Sequence, residues 1–427
     1  MTWMPELNRR QWLGAMAASA AVSSARLSWA GSADPRQGRV VFIILRGGLD
    51  GLFAVPATGD PAFAAARERF TEQAGAALPL DATFGLHPAL AQMHTLYRGG
   101  ELLVVHATGL AYHQRSHFDA QQVLESGGEQ PGQLRDGWLG RALAATRRTG
   151  LAMTTAVPLV LRGWSAVDTW APSRLPSPTD DLLTRLQRLY ADDAALAHAL
   201  GRAKGVQTEV AAAASVASDE PADMDMSMAP GAAAGQGPGK GAGKGAVKKG
   251  PAGDFVSLCQ AAGALMARPE GPQVVVLDVS GWDSHAEQAA PNGVLTRRLG
   301  ELDQGLAALR AALTGPSAGD AWQRTAVVVA TEFGRTVEIN GTRGTDHGTG
   351  GAAWVLGGRV QGGRVLADWP GLSPAQRFEG RDLHITMDIR AVLKGVLGPQ
   401  LGLSERVLAD QVFPGSAALK PVSLWRA

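Results

Sequence analysis

The apolar positions of this chain gather into short continuous runs, and each run stops at a polar motif. Val40–Leu45, Leu102–Ala107, Val274–Leu277, Ala326–Ala330 and Ala353–Leu356 are too short for helices and rich in branched residues. Uninterrupted runs of this length predict strands buried on both faces, the signature of a parallel sheet covered by helices. Between them the period changes. Leu295, Leu299, Leu302, Leu306, Leu309 and Leu313 recur at helical spacing and predict a helix packed along one face. Further helices are predicted from Asp181, capped by Thr179 or Asp180, with Leu182, Leu183, Leu186, Leu189 and Leu196 on one side; over Asp254–Met266; and after Thr386. A short strand is predicted over Val157–Leu161. The alternation of the two periods predicts an α/β fold.

The polar motifs carry the chemistry. In open α/β sheets ligands sit beyond the carboxyl ends of the strands, where four motifs of this chain begin. The first run ends in RGGLDG, where the paired glycines either make a tight turn or bring Asp50 to the sheet edge as a metal ligand. The second leads to RSHFDAQ. There Ser116 and Asp119 have the form of a capping box that starts a helix, and a helix N-terminus also suits an anion. Ser116 is therefore both a cap and a candidate nucleophile for a phosphate or sulfate ester. His113 and His117 are polar neighbours to which the sequence assigns no role. The third run ends in GWDSH, where Asp283 and His285 share a face if the loop is extended. The fourth ends in TEFGRT, followed by GTDHGTGG. This stretch offers Glu332, Arg335, Asp346 and His347 among glycines that permit close backbone approach. His87, His94 and His384 lie away from strand ends and read as structural.

Composition narrows the classes. Of 427 residues, 45% are hydrophobic and 19% charged, with a formal charge of +1; no basic stripe alternating with aromatics suggests nucleic acid as a partner. The single cysteine, Cys259, excludes an internal disulfide and a cysteine-based zinc site, and it reads as a small buried hydrophobe. Residues 1–30 read as a leader. Asn8-Arg9-Arg10-Gln11-Trp12-Leu13 is a twin-arginine pattern, followed by an apolar stretch and a cleavage site ending at Ala30. Its removal takes away Arg9, Arg10, Arg26 and Glu6, so the formal charge moves from +1 to −1. No later run is long enough to span a bilayer. Residues 38–204 and 253–427 read as two parts of one domain. Residues 205–252, dominated by alanine, glycine and lysine, cannot bury enough apolar area to order themselves and read as a disordered insertion. Within it Met224, Met226 and Met228 form a short thioether run of the kind that binds copper(I).

Taken in order, RGGLDG, RSHFDAQ, GWDSH, TEFGRT and GTDHGTGG resemble the alkaline phosphatase and sulfatase superfamily. More closely, they resemble a twin-arginine-exported bacterial family of unknown function within it. The resemblance spans most of the chain from Val40 onward. It implies a three-layer α/β/α sandwich with a mainly parallel central sheet, and ester cleavage with one or two divalent metals. By position it implies Asp50 as the first metal carboxylate and Ser116 as nucleophile. Asp283 and His285 are then the middle ligands, Glu332 the later acid and His347 the terminal histidine. Glu332-Phe333 departs from the Asp-His pair of many superfamily enzymes, which removes one ligand and favours one metal over two. Arg335 then supplies fixed positive charge to a planar oxyanion.

Two functions are expected from this reading. One is a periplasmic or secreted metal-dependent hydrolase of a small phosphate or sulfate ester, with a divalent ion gathered by Asp50, Asp283, His285, Glu332, Asp346 and His347. The other is a non-catalytic envelope protein that uses the same fold to bind an anionic glycan or a protein partner.

Overall fold

The computed structural model describes residues 38–74, 76–164, 166–172, 178–218, 252–290 and 293–426. The strands, in chain order, are β1 (Arg39–Arg46), β2 (Leu78–Pro79), β3 (Gly85–Leu86), β4 (Leu102–Gly109), β5 (Gly150–Ala152) and β6 (Val167–Thr169). They continue with β7 (Val274–Ser280), β8 (Thr325–Thr331), β9 (Gly351–Leu356), β10 (Arg364–Leu366) and β11 (Met387–Asp388). Nine of them form one sheet in the order β10-β4-β9-β8-β1-β7-β5-β6, with β11 beside β4. All neighbours are parallel except β9, which runs antiparallel to both β4 and β8. The sheet is therefore mainly parallel, as expected.

Every residue of β1 except the last is buried, because helices cover both faces. Val41, Ile43 and Leu45 belong to a core shared with the helices Phe63–Ala74, Ala91–Arg98, Ala252–Ala267 and Val294–Thr314. Val40, Phe42 and Ile44 belong to a second core, with the helices His117–Ser126, Trp138–Thr146 and Ile389–Leu401. The result is a three-layer α/β/α sandwich. The leucine series from Leu295 to Leu313 is buried, as its spacing predicted. Cys259 is wholly buried in the first core, and burial pushes its thiol well above the ordinary range.

Three expectations need correction. Residues 157–161 hold no strand; a single 3-10 turn, Leu159–Leu161, follows Pro158, whose missing N–H cannot donate to a sheet ladder. The Asp180–Leu189 helix is capped by Thr179 as predicted, but Leu182 and Leu189 are exposed, so its apolar side is not a core face. The low-complexity reading of 205–252 begins too early, because the helix Ala194–Ser218 continues through its first part, where Val206 is buried in the first core; alanine is a strong helix former. The leader and the Met224–Met228 run lie outside the described residues. Among the described residues no helix is long and apolar enough to cross a membrane.

Candidate metal centre

The motifs after β1, β7 and β8 and the segment preceding the antiparallel β9 meet at one edge of the sheet. The chain leaves β8 through Glu332, loops outward and returns through His347 into β9, so both ends of the loop share that edge. The two arms are laced together: Gly334 N donates to Thr349 O, Gly348 N to Gly334 O and Thr336 N to Asp346 O, all at 2.9 Å. A Cβ on Gly334 would lie 1.8 Å from the Gly350 carbonyl, so only glycine allows this contact. Gly47, with φ of 127°, is held to glycine in the same way, since a Cβ there would lie 2.5 Å from the Asp283 amide.

Four side chains converge. His117 Nε2 and His347 Nε2 are 3.0 Å apart, and His285 Nε2 lies 3.1 Å from His347 Nε2. Asp283 reaches all three: Oδ1 is 2.9 Å from His285 Nε2 and 3.2 Å from His347 Nε2, and Oδ2 is 3.4 Å from His117 Nε2. Donor atoms of His117, Asp283 and His347 all lie within 4.8 Å of one another, a spacing that suits a single ion. Each imidazole is oriented from behind. His117 Nδ1 meets Glu332 Oε1 at 2.8 Å, His285 Nδ1 meets Asp346 Oδ1 at 3.2 Å, and His347 Nδ1 meets the Arg115 carbonyl at 3.1 Å. A ring that donates through Nδ1 presents its Nε2 lone pair, the arrangement seen behind metal-bound histidines. Phe333 packs against the rings of His117 and His347, at 4.7 and 5.1 Å between centroids.

The residues expected from the sequence thus separate into layers. Asp283, His285 and His347 face the centre. Glu332 stands behind His117 and is fully buried; Gly47 N, His117 Nδ1 and Gln121 Nε2 reach its Oε1, and the Thr331 hydroxyl its Oε2. Asp346 stands behind His285 and also receives Asn340. Arg335 is turned inward: its guanidinium is buried and donates to Asp283 Oδ1 at 2.6 Å, to Thr345 Oγ1 and to the carbonyls of Ser284 and Thr345. Ser116 caps the His117–Ser126 helix, its Oγ accepting the Asp119 amide at 3.4 Å. Asp50 is not brought to the centre. Its Oδ1 caps the Gly51–Ala54 turn through Leu52 N and Phe53 N. Its Oδ2 takes Arg67 Nη1 and Gln288 Nε2, both at 2.6 Å, in a buried ion pair.

His117 is the member that the sequence left without a role. The available signal was position: its motif follows a buried strand, as the other three do. It also supplies an imidazole to a site from which Phe333 withholds one.

The charges are set by neighbours. The hydrogen bond to Glu332 raises the proton affinity of His117, despite partial burial. Burial lowers that of His347, helped by the charges of His117 and Arg335. Burial opposes ionisation of Asp283, but the hydrogen bond and charge of Arg335, with His285 and His347, hold it below the usual carboxylate range. Burial likewise opposes ionisation of Glu332, and His117, Gln121 and backbone amides outweigh it. Asp346 is lowered chiefly by Asn340 and then by His285.

A family model described as Protein of unknown function (DUF1501) matches residues 37–410. Among solved structures the chain is similar to the lipoteichoic acid synthase LtaP from Listeria monocytogenes, at 10% identity over 93% of this chain and 78% of that one, with a TM-score of 0.39. It is also similar to the PsFucS1 sulfatase from Pseudoalteromonas sp., at 10% identity over 98% and 75% of the two chains, with a TM-score of 0.38. A third is the phosphonate monoester hydrolase of Agrobacterium radiobacter, at 10% identity over 77% and 70%, with a TM-score of 0.37. No curated protein matches the chain.

Proposed function

This chain belongs to the DUF1501 family of proteins of unknown function, so membership brings no activity with it, and we propose from the site itself an exported metal-dependent hydrolase of phosphate or sulfate esters. One observation carries the reading. The lone pair of His347 Nε2 is faced by two other imidazole nitrogens and a carboxylate oxygen, all within 3.2 Å. A single proton on His117 satisfies one of those approaches and leaves the others facing each other. A divalent ion satisfies them together. His117, His347 and Asp283 are the residues that would hold it, with His285 against them, and a bound dication supplies charge stabilisation at an ester oxygen.

The remaining roles belong to the chain's own groups. Glu332, Asp346 and the Arg115 carbonyl hold the rings in one tautomer. Arg335 fixes Asp283 and keeps it ionised. Ser116 sits at the positive end of a ten-residue helix, and its Oγ accepts the Asp119 amide, so its own proton is free to leave. In the proposed reaction Oγ bonds to phosphorus or sulfur as the ester oxygen departs, and the Ser116 proton passes to that oxygen, which leaves as an alcohol. Water then releases phosphate or sulfate and restores the hydroxyl.

Metal analysis of purified protein, joined to an assay on aryl phosphates and sulfates, tests this. His347→Ala is expected to lose metal and turnover together, and Ser116→Ala to keep metal and lose turnover. Protein without stoichiometric metal after growth in metal-replete medium would sink the hydrolase. A second reading, a non-catalytic binder of an anionic glycan, draws on the openness of the centre: the Asp283, His285 and Asp346 side chains are 41%, 46% and 52% exposed. It predicts glycan binding with no turnover. Export is tested separately. Arg9→Lys with Arg10→Lys should hold the protein in the cytoplasm, and mature protein still appearing outside would refute the leader.

A further inference from the structure

With the cluster read as a metal centre, its donors also select among cations. Three of the four converging atoms are imidazole nitrogens and one is a carboxylate oxygen. Calcium and magnesium favour shells of oxygen, whereas imidazole suits first-row ions of intermediate softness.

The surroundings sharpen the choice in two ways. Each ring is engaged at Nδ1, by Glu332, Asp346 or the Arg115 carbonyl, and donation at Nδ1 makes the Nε2 lone pair a better ligand. At the same time two of the nearby carboxylates that an alkaline-earth ion would need are taken. Asp50 is filled by Arg67, Gln288 and two backbone amides. Glu332 is filled by Gly47 N, His117, Gln121 and Thr331. Asp283 Oδ1 accepts Arg335, which leaves Oδ2 to face an ion.

We infer that the centre takes one transition-metal dication of the zinc or cobalt(II) kind, held by His117, His347 and Asp283 with His285 against them, and discriminates against calcium and magnesium. Arg67 and Arg335 balance the neighbouring carboxylates that a second ion would otherwise have to neutralise.

The test uses full-length protein stripped with a chelator. Cobalt(II) is titrated by visible absorption, zinc by competition with it, and calcium and magnesium by calorimetry. One equivalent of cobalt or zinc is expected, with zinc bound more tightly than calcium. His285→Ala should shift the cobalt bands and weaken its binding roughly 10–100-fold. The fold should survive, because the His285 side chain is half exposed, and the thermal melt of the stripped variant checks this. Calcium or magnesium binding as tightly as zinc, a second equivalent of cobalt, or cobalt affinity indifferent to His285→Ala would each overturn the inference. Ester turnover supported by calcium alone would overturn it while leaving the hydrolase standing. Tight cobalt binding without turnover would support it and remove the hydrolase.

Discussion

At the scale of single residues, direction matters more than identity. Glu332 and Asp283 are both carboxylates at strand ends, yet one backs an imidazole and the other faces the centre. Glu332→Gln keeps the shape but removes the charge behind His117, and metal affinity is expected to fall roughly 10–100-fold with little change in the fold. Calorimetric titration measures this, and unchanged affinity would mean that His117 is not a ligand. Asp50 makes the opposite case. Its pair with Arg67 is wholly buried, and breaking such a pair leaves an uncompensated charge inside. Asp50→Ala should therefore cost about 3–5 kcal/mol in urea unfolding. A cost below about 1 kcal/mol, the value of an exposed pair, would show that water reaches the guanidinium. The sequence marked Asp50, Asp283, His285, Glu332, Asp346 and His347 as special, but it could not rank them. The partners that decide their roles, Arg67 for Asp50 and His117 for Glu332, depend on which way a side chain turns across chain separations of up to 215 residues.

At the scale of elements, long apolar runs were legible and short ones were not. β1, β4, β7, β8 and β9 each announced themselves by a run of buried residues. β5, β6 and β10 have three residues each, too few for a period, and they exist because a neighbouring strand offers a ladder. The His117 helix was legible from its cap, and the cap separates structure from chemistry. Ser116→Ala removes the hydroxyl that accepts the Asp119 amide and should cost about 1 kcal/mol. Ser116→Asp restores an acceptor and the helix, so its melting temperature should return to near the wild type. If Ser116 is the nucleophile, this variant remains inactive. Turnover by Ser116→Asp equal to wild type would assign the residue to capping alone.

At the scale of the whole molecule, two buried histidines outside the centre tie stability to pH. His106 on β4 donates to the Val55 carbonyl and accepts the Ala107 amide, and burial lowers its pKa to about 4. His87 is likewise lowered to about 4 by burial. Both are neutral in the folded protein and take up protons on unfolding below the ordinary value near 6.5. Their contribution is complete above pH 6.5 and declines as pH falls from 6.5 toward 4, by up to about 1.4 kcal/mol per pH unit for each. Urea midpoints across that range should show the slope, and His106→Gln should reduce it by about half; an unchanged slope would mean that His106 is protonated in the fold. The sheet order has a consequence in time. β1, the earliest of the described strands in chain order, lies in the middle of the sheet between β7 and β8, pairing Val40 with Val274 and with Ala326. At roughly 5–20 residues per second, it waits tens of seconds for neighbours that have not been made. The middle of the sheet cannot close until β8 has been made, so the strand at the heart of the core is synthesised long before the neighbours that bury it.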